Sequence, residues 1–208
     1  MQDDLATAAP VTMPDLAGAS RESAAGHGSV WDRVTVADGR SLRVRPVGPQ
    51  DAGAEQAFVA GLSPIARFRR FHFGLNELPA ALLRSFVSAD QQTHVALVAE
   101  TVDDRRIVAD ARYVLDGANR TGEFAIAVSD DWQGLGLGRR LMHRLLSQAR
   151  HAGLARLCGD VLADNEPMLA LMRRLEARLA PDPEDASLYR VCIALLRVAQ
   201  GSAATTHE

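Results

Sequence analysis

Three glycines at alternate positions, Gly134, Gly136 and Gly138, stand between an apolar run that ends at Val128 and an apolar stripe of helical spacing, and Arg139 and Arg140 follow them directly. A strand stopping at Val128, a short Ser129-Asp-Asp-Trp132 connection and a glycine-rich entry into a helix leave several backbone N–H groups directed outward at the positive end of the helix dipole. Such a segment cradles an anion. Glycine lets a phosphate approach the main chain closely. The two arginines add positive charge to a first turn where an unliganded helix favours acidic residues. Spacing narrows the reading by exclusion. A dinucleotide fingerprint requires Gly-x-Gly-x-x-Gly, and here the third glycine comes one residue early; a Walker loop requires Gly-Lys-Ser/Thr, and Arg139-Arg140 stands in its place. The competing reading is a loop and helix start with no ligand.

Upstream of this loop lies Glu123. In an extended strand Glu123, Ala125 and Ala127 share one face and Phe124, Ile126 and Val128 the other, so the carboxylate looks across small residues that leave room for a substrate. Glu123 is either a general base that accepts a substrate proton, directly or through one water, or a solvated strand-end residue. The segment from Arg67 to Phe71 either borders a substrate site or places phenylalanines in the core with arginines outside. His72, His94, His143 and His151 fall singly, without metal spacing, and are expected as surface or partly buried side chains. Cys158 and Cys192 form no Cys-x-x-Cys, so neither zinc nor a disulfide framework is indicated, and both are expected as small core residues in apolar strands.

The elements that must position these residues follow from periodicity. Val34 and Val36, the Asp38-Gly39 turn, then Leu42 and Val44 predict a hairpin that starts at Trp31 and ends at Pro46. Pro49-Gln-Asp51 opens a helix through Leu62, Ser63-Pro64 opens a second through Phe71 with Ser63 as N-cap, and Leu78-Pro79 a third through Phe86. Strands are expected over His94 to Glu100, Ile107 to Leu115 and Glu123 to Val128, as an antiparallel meander with a Gly117-Ala-Asn119 turn. Leu137, Leu141, Met142, Leu145, Leu146 and Ala149 trace a helix that ends at His151-Ala-Gly153. A strand over Leu157 to Leu162 follows. Asp164-Asn165-Glu-Pro167 then starts a helix carrying Met168, Leu171, Met172, Leu175 and Leu179 on one face, and Tyr189 to Leu196 forms the last strand. This order gives an α+β, or mixed α/β, domain.

Composition bounds the rest. The 208 residues are 47% hydrophobic and 24% charged, with a formal net charge of -3, so one ordinary domain is expected and bulk basicity for nucleic-acid binding is lacking. No apolar run reaches the ~18 residues of a membrane span, and the acidic start Met1-Gln-Asp-Asp4 is no signal peptide. A cytoplasmic protein without nucleic-acid or membrane partners is expected. Residues 1–29 and 200–208 read as disordered tails around a domain over 30–199.

Gln133-Gly-Leu-Gly-Leu-Gly-Arg139, preceded by Glu123-Phe-Ala-Ile-Ala-Val128 and followed by Asn165 and Met168, resembles the acetyl-CoA motif of the GNAT superfamily over roughly residues 31 to 198. Val44-Arg45-Pro46 with Pro49-Gln-Asp51, Ser63-Pro-x-x-Arg67-Phe-x-x-Phe71, and Asp90 before Val95-Ala-Leu97 are similar to the catalytic domain of bacterial Pat-type protein-lysine acetyltransferases. The resemblance implies a GNAT fold, with a central mixed, mostly antiparallel sheet flanked by helices. It implies acetyl-CoA as cosubstrate without a metal, and a primary amine, foremost a protein lysine, as acceptor. A small-molecule amine acceptor and a catalytically silent acyl-CoA-binding module are the alternatives. By the same resemblance, backbone groups of Ile126, Ala127 and Val128 pair with the pantetheine arm like an added strand. The segment Gln133, Gly134, Leu135, Gly136, Leu137, Gly138 and Arg139 holds the diphosphate, and Glu123 is the general base. Asn165 faces the cofactor, caps its helix, or does both. Leu175-Glu-Ala-Arg-Leu179 lacks the tyrosine with which many members protonate the departing thiolate, and the Gly-Phe pair after it. A thiol of pKa near ~8.5 can take its proton from water instead.

Overall fold

The hairpin at the start closes on Gly39, whose φ of +88° explains the glycine, and the Asp38 carboxylate accepts the Arg40 amide at 3.1 Å. The computed structural model describes residues 32–116 and 120–195. The expected tails, Trp31, Leu196 and the Gly117-Ala-Asn119 turn lie outside the described residues. The hairpin is β1 (Asp32–Thr35) with β2 (Ser41–Pro46). A 3-10 turn, Pro49–Asp51, leads into α1 (Ala52–Gly61), then α2 (Pro64–Phe71) and α3 (Ala80–Val87) follow. Ser63 caps α2 as expected, its hydroxyl accepting the Ala66 amide at 3.2 Å.

The meander is β3 (His94–Thr101), β4 (Ile107–Asp116) and β5 (Thr121–Val128). After it come α4 (Leu137–His151), β6 (Arg156–Leu162), α5 (Glu166–Arg174), β7 (Arg178–Pro181) and β8 (Leu188–Ala194). One eight-stranded sheet runs β1-β2-β3-β4-β5-β6-β8-β7. Every pair is antiparallel except β5 with β6, which α4 joins by a crossover. The predicted stripe of α4 is its buried face: Leu141, Met142, Leu145 and Ala149 are sealed against one side of the sheet with Tyr113 and Phe124. On the other side α1, α2 and α3 bury Phe58, Phe71 and Phe86 against Ala96, Val98 and Ala127. Burial of two sheet faces by helices is what the near-continuous apolar runs of β3 and β4 require.

Two expectations are corrected. Leu179 is not on the α5 face: α5 ends at Arg174, the Ala177 amide turns back to the Met172 carbonyl at 3.0 Å, Glu176 takes a φ of +58°, and Leu179 lies in β7. Leu175 and Leu179 continue a four-residue spacing, which periodicity alone extends past the true helix end. The second concerns the cysteines. Cys158 is buried as expected, yet it is joined to Cys192 as a disulfide. The antiparallel pairing of β6 and β8 sets the two directly opposite one another with Cα atoms 4.1 Å apart, a register that single-chain spacing does not disclose.

Candidate active site

Strands β5 and β6 pair only over Thr121↔Arg156, Gly122↔Leu157 and Glu123↔Cys158. Beyond Glu123 they part, β5 staying with β4 as far as Val128 and β6 staying with β8 as far as Leu162. Gly159 sits at the fork under the Phe124 ring; a Cβ there would come within 3.0 Å of the ring and of the Phe124 carbonyl oxygen, so a side chain has no place. The fork leaves the β6-facing edge of Ile126, Ala127 and Val128 without a strand partner. An extended amide-bearing ligand can supply the missing hydrogen bonds as an added strand.

At the end of β5 the chain makes the glycine loop. Gly134 and Gly136 have φ of +72° and +82°, which L side chains rarely adopt, and Gly136 is the N-cap of α4 with no side-chain cap. The amides of Gly134, Leu135 and Gly136 donate to no backbone carbonyl among the described residues, and the first-turn amides of Leu137, Gly138 and Arg139 have no partner one turn back. Those N–H groups, at the positive end of a fifteen-residue helix, form the nest that suits a diphosphate. The loop is braced from behind. Trp132 is buried beneath the Arg40 guanidinium, 3.7 Å from its ring, and Arg40 donates to the Asp131 carbonyl at 2.9 Å. The Gln133 side-chain amide donates to the Val128 carbonyl at 3.0 Å, so Gln133 holds the turn. Leu137 sends its side chain into the core, and only its backbone faces the nest. Asn165 caps α5, its Oδ1 accepting the Met168 amide at 3.3 Å, while lining the same cavity.

One cavity of 1540 Å³ joins this loop to Glu123, and Glu123, the stretches 126–128 and 133–139, and Asn165 all line it. Glu123 is ion-paired and partly exposed, its side chain 44% accessible. Its carboxylate takes both arms of the Arg190 guanidinium, at 2.7 and 2.5 Å, and the same guanidinium reaches Asp160 at 3.2 Å. Burial pushes the Glu123 pKa up and outweighs the pull of Arg190 in the other direction. Sequence reading missed Arg190 and Asp160. Their signal was one charged residue within each of the apolar runs Leu157 to Leu162 and Leu188 to Ala194.

The far wall of the acceptor side is α2. Arg70 lies with its guanidinium over the rings of Phe71 and Phe86, 3.8 Å from Asp110. Beneath it Asp110, Arg112, Glu55 and His94 form a buried polar cluster. Arg69 crosses from α2 to donate to the Asp164 carbonyl at 3.0 Å, spanning the mouth between the two sides. No tyrosine lines the cavity among the described residues.

Comparison with known proteins adds an independent line. Residues 65–176 match the model of the acetyltransferase (GNAT) family. The chain is 33% identical over 179 residues to the acetyltransferase PA5475 of Pseudomonas aeruginosa, covering 84% of this chain and 96% of that protein. It is 34% identical over 145 residues to the acetyltransferase Pat of Mycolicibacterium smegmatis, covering 69% of this chain and 43% of that longer protein. Among solved structures the GNAT domain of S. lividans PAT superposes with a TM-score of 0.72 over 79% of this chain and 97% of that domain, at 24% identity, a likeness of fold. The forked sheet, the glycine loop opening α4 and these matches converge: the chain belongs to the GNAT family of acetyltransferases, which draw the acetyl group from acetyl-CoA.

Proposed function

We propose that the protein transfers the acetyl group of acetyl-CoA directly to the ε-amine of a lysine on another protein. The observation that carries the acceptor class is the rim of the cavity. Ile65, Phe68 and Phe73, exposed to 64%, 48% and 52%, are the exposed large hydrophobics of the described residues, and all three fall on α2 and the turn after it. Ile65 and Phe73 border the cavity itself. A site for a small amine gains nothing from an apolar lip facing water, whereas a lip of this kind gives an acceptor protein a surface to rest on.

In this reading the amides from Gly134 to Arg139 hold the diphosphate, Arg139 adds its charge, Asn165 lies beside the cofactor, and the open edge of Ile126, Ala127 and Val128 aligns the pantetheine arm. Acetyl-CoA supplies the activated thioester. Glu123 takes the proton from the incoming ammonium, directly or through a water. The freed nitrogen lone pair attacks the thioester carbonyl; as the C–S bond breaks, the nitrogen gives up its second proton to water, and the departing thiolate is protonated from water. The carboxyl then returns its proton to solvent.

The test uses acetyl-CoA and a soluble cell extract, read by mass spectrometry of acetylated peptides. All 23 basic residues counted as lysine or arginine in this chain are arginine. The enzyme therefore cannot acetylate a lysine of its own, and every acetyl-lysine that depends on it belongs to an acceptor. Enzyme-dependent acetyl-lysine on a small set of proteins is expected. Acetylation confined to small amines in the extract would overturn the protein-lysine reading.

A further inference from the structure

A carboxylate that serves as a base must offer a lone pair to the ammonium, and Glu123 offers both oxygens to Arg190. A guanidinium in a two-point bond stabilises the ionised carboxylate and weakens it as a proton acceptor. The same guanidinium stands within hydrogen-bond distance of a second carboxylate, Asp160, its direct partner in the β6–β8 pairing. All three side chains line the cavity and are 30% to 44% exposed, so none is locked in the core. Arg190 thus bridges a base and an alternative anion across the mouth of the fork.

We propose that Arg190 occupies, in the acceptor-free site, the position of the substrate ammonium, and that the arriving ammonium displaces it from Glu123 onto Asp160. Arg190 keeps Glu123 ionised and aimed while the site is empty; Asp160 is the place to which the guanidinium retires. Glu123 keeps one cationic partner throughout, and the second cation leaves each of the two carboxylates, Glu123 and Asp160, with a cation of its own. Asp116 at the end of β4 also raises the Glu123 pKa, and Asp160 acts electrostatically on His72 after α2, whose pKa burial holds below the usual value. Arg190 and Asp160 are positioning residues here. The idea rests on Glu123 being the base.

The test compares wild type, Arg190→Met, Arg190→Lys, Asp160→Asn and the double variant Arg190→Met with Asp160→Asn. Glu123→Gln serves as the control for the base. Rates are measured against pH with acetyl-CoA and Nα-acetyl-lysine amide, and the Glu123 carboxyl is titrated by ¹³C NMR in the protein with CoA bound, which needs no turnover. Removing the guanidinium should move the Glu123 titration and the acid limb of the rate profile up by about 1 to 3 pH units, with Arg190→Lys restoring most of the shift. Asp160→Asn should lower kcat with CoA affinity unchanged, because the displaced guanidinium loses its second anion; in the Arg190→Met background the same change should have no effect on kcat. A Glu123 titration that superposes in wild type and Arg190→Met overturns the proposal, as does an Asp160→Asn defect of equal size in both backgrounds. A Glu123→Gln protein with wild-type rate at neutral pH removes the base itself and the proposal with it.

Discussion

The carboxylate of Asp130 accepts both the amide and the hydroxyl of Ser63, at 3.0 and 2.7 Å, tying the start of α2 to the connection between β5 and the glycine loop. One hydroxyl thereby serves two structures, since it also caps α2. Ser63→Ala should lose about 1 kcal/mol of stability from the cap and loosen the apolar lip. The expected kinetic outcome is a several-fold rise in KM for a protein acceptor with little change in acetyl-CoA affinity, read from steady-state rates and calorimetry. An unchanged acceptor KM would show that other contacts hold the lip.

Glu123→Gln keeps the size of the side chain and part of its bond to Arg190 but removes the proton acceptor. Turnover near pH 7 should fall by about 10²- to 10⁴-fold while acetyl-CoA binding survives. The deficit should shrink as pH rises toward the amine pKa of ~10.4, where more acceptor arrives neutral. The measurement is the ratio of the two pH–rate profiles; a ratio that stays constant with pH contradicts the role.

Gly136→Val tests the anion nest. A Cβ at Gly136 meets nothing within 4 Å, so the protein has room for the side chain, although its φ of +82° penalises any L residue by about 1 to 2 kcal/mol. The valine would stand where the diphosphate approaches the amides. A folded protein with a slightly lower Tm and acetyl-CoA affinity weakened by tenfold or more, ~1.4 kcal/mol, is expected. Calorimetry showing wild-type affinity would place the diphosphate elsewhere.

His94 provides a pH dependence of stability. Burial, and then the neighbouring Arg112 guanidinium, push its pKa from 6.5 down to about 4. The unfolded chain takes up this proton near pH 6.5 and the folded chain only near 4, so the folded state holds its advantage above pH 6.5 and loses it as pH falls through that interval. The stability at stake is on the order of 3 kcal/mol. Denaturant unfolding from pH 7 to pH 4 should show that loss, and His94→Gln should flatten it.

Arg45 lies between Asp51, bound at 2.5 and 2.6 Å, and Glu100, bound at 3.0 and 2.7 Å, with all three side chains buried. Arg45→Met strands two buried carboxylates and should cost about 3 to 5 kcal/mol. The fraction that remains folded should bind acetyl-CoA normally. A drop in affinity without a drop in Tm would move Arg45 from scaffold to site.

Local pattern made most of this legible from the chain itself. The strand from Glu123 to Val128, the glycines at 134, 136 and 138 and the apolar stripe of α4 are contiguous, and each announces its own geometry through alternation, φ requirement or helical spacing. What was not legible depends on register between distant segments. Arg190 meets Glu123, and Cys192 meets Cys158, only because β8 lies antiparallel beside β6 in one alignment. Leu179 misled for the opposite reason, since a local spacing persisted where the chain had already turned. Arg45 and Asp51, among the residues that carried the resemblance to Pat-type enzymes, belong to the scaffold under β2 and α1.

The three residue pairs that join β5 to β6, with the Ala155 amide donating to the Arg120 carbonyl at 2.7 Å just before them, form a short seam among the described residues between a five-stranded and a three-stranded part of the sheet. A seam so short is a mechanical weak point, and a cofactor in the proposed place along the open edge of β5 would take on the duty of the missing rungs. Acetyl-CoA would then act as a removable structural member as well as a reagent. Saturation at a hundred times Kd should raise the unfolding free energy by about 2.7 kcal/mol, with slowed amide exchange concentrated along Ile126 to Val128 and the facing stretch of β6. Release of CoA after each turnover should withdraw that support, so that in the proposed site the rigidity of the domain would follow the catalytic cycle.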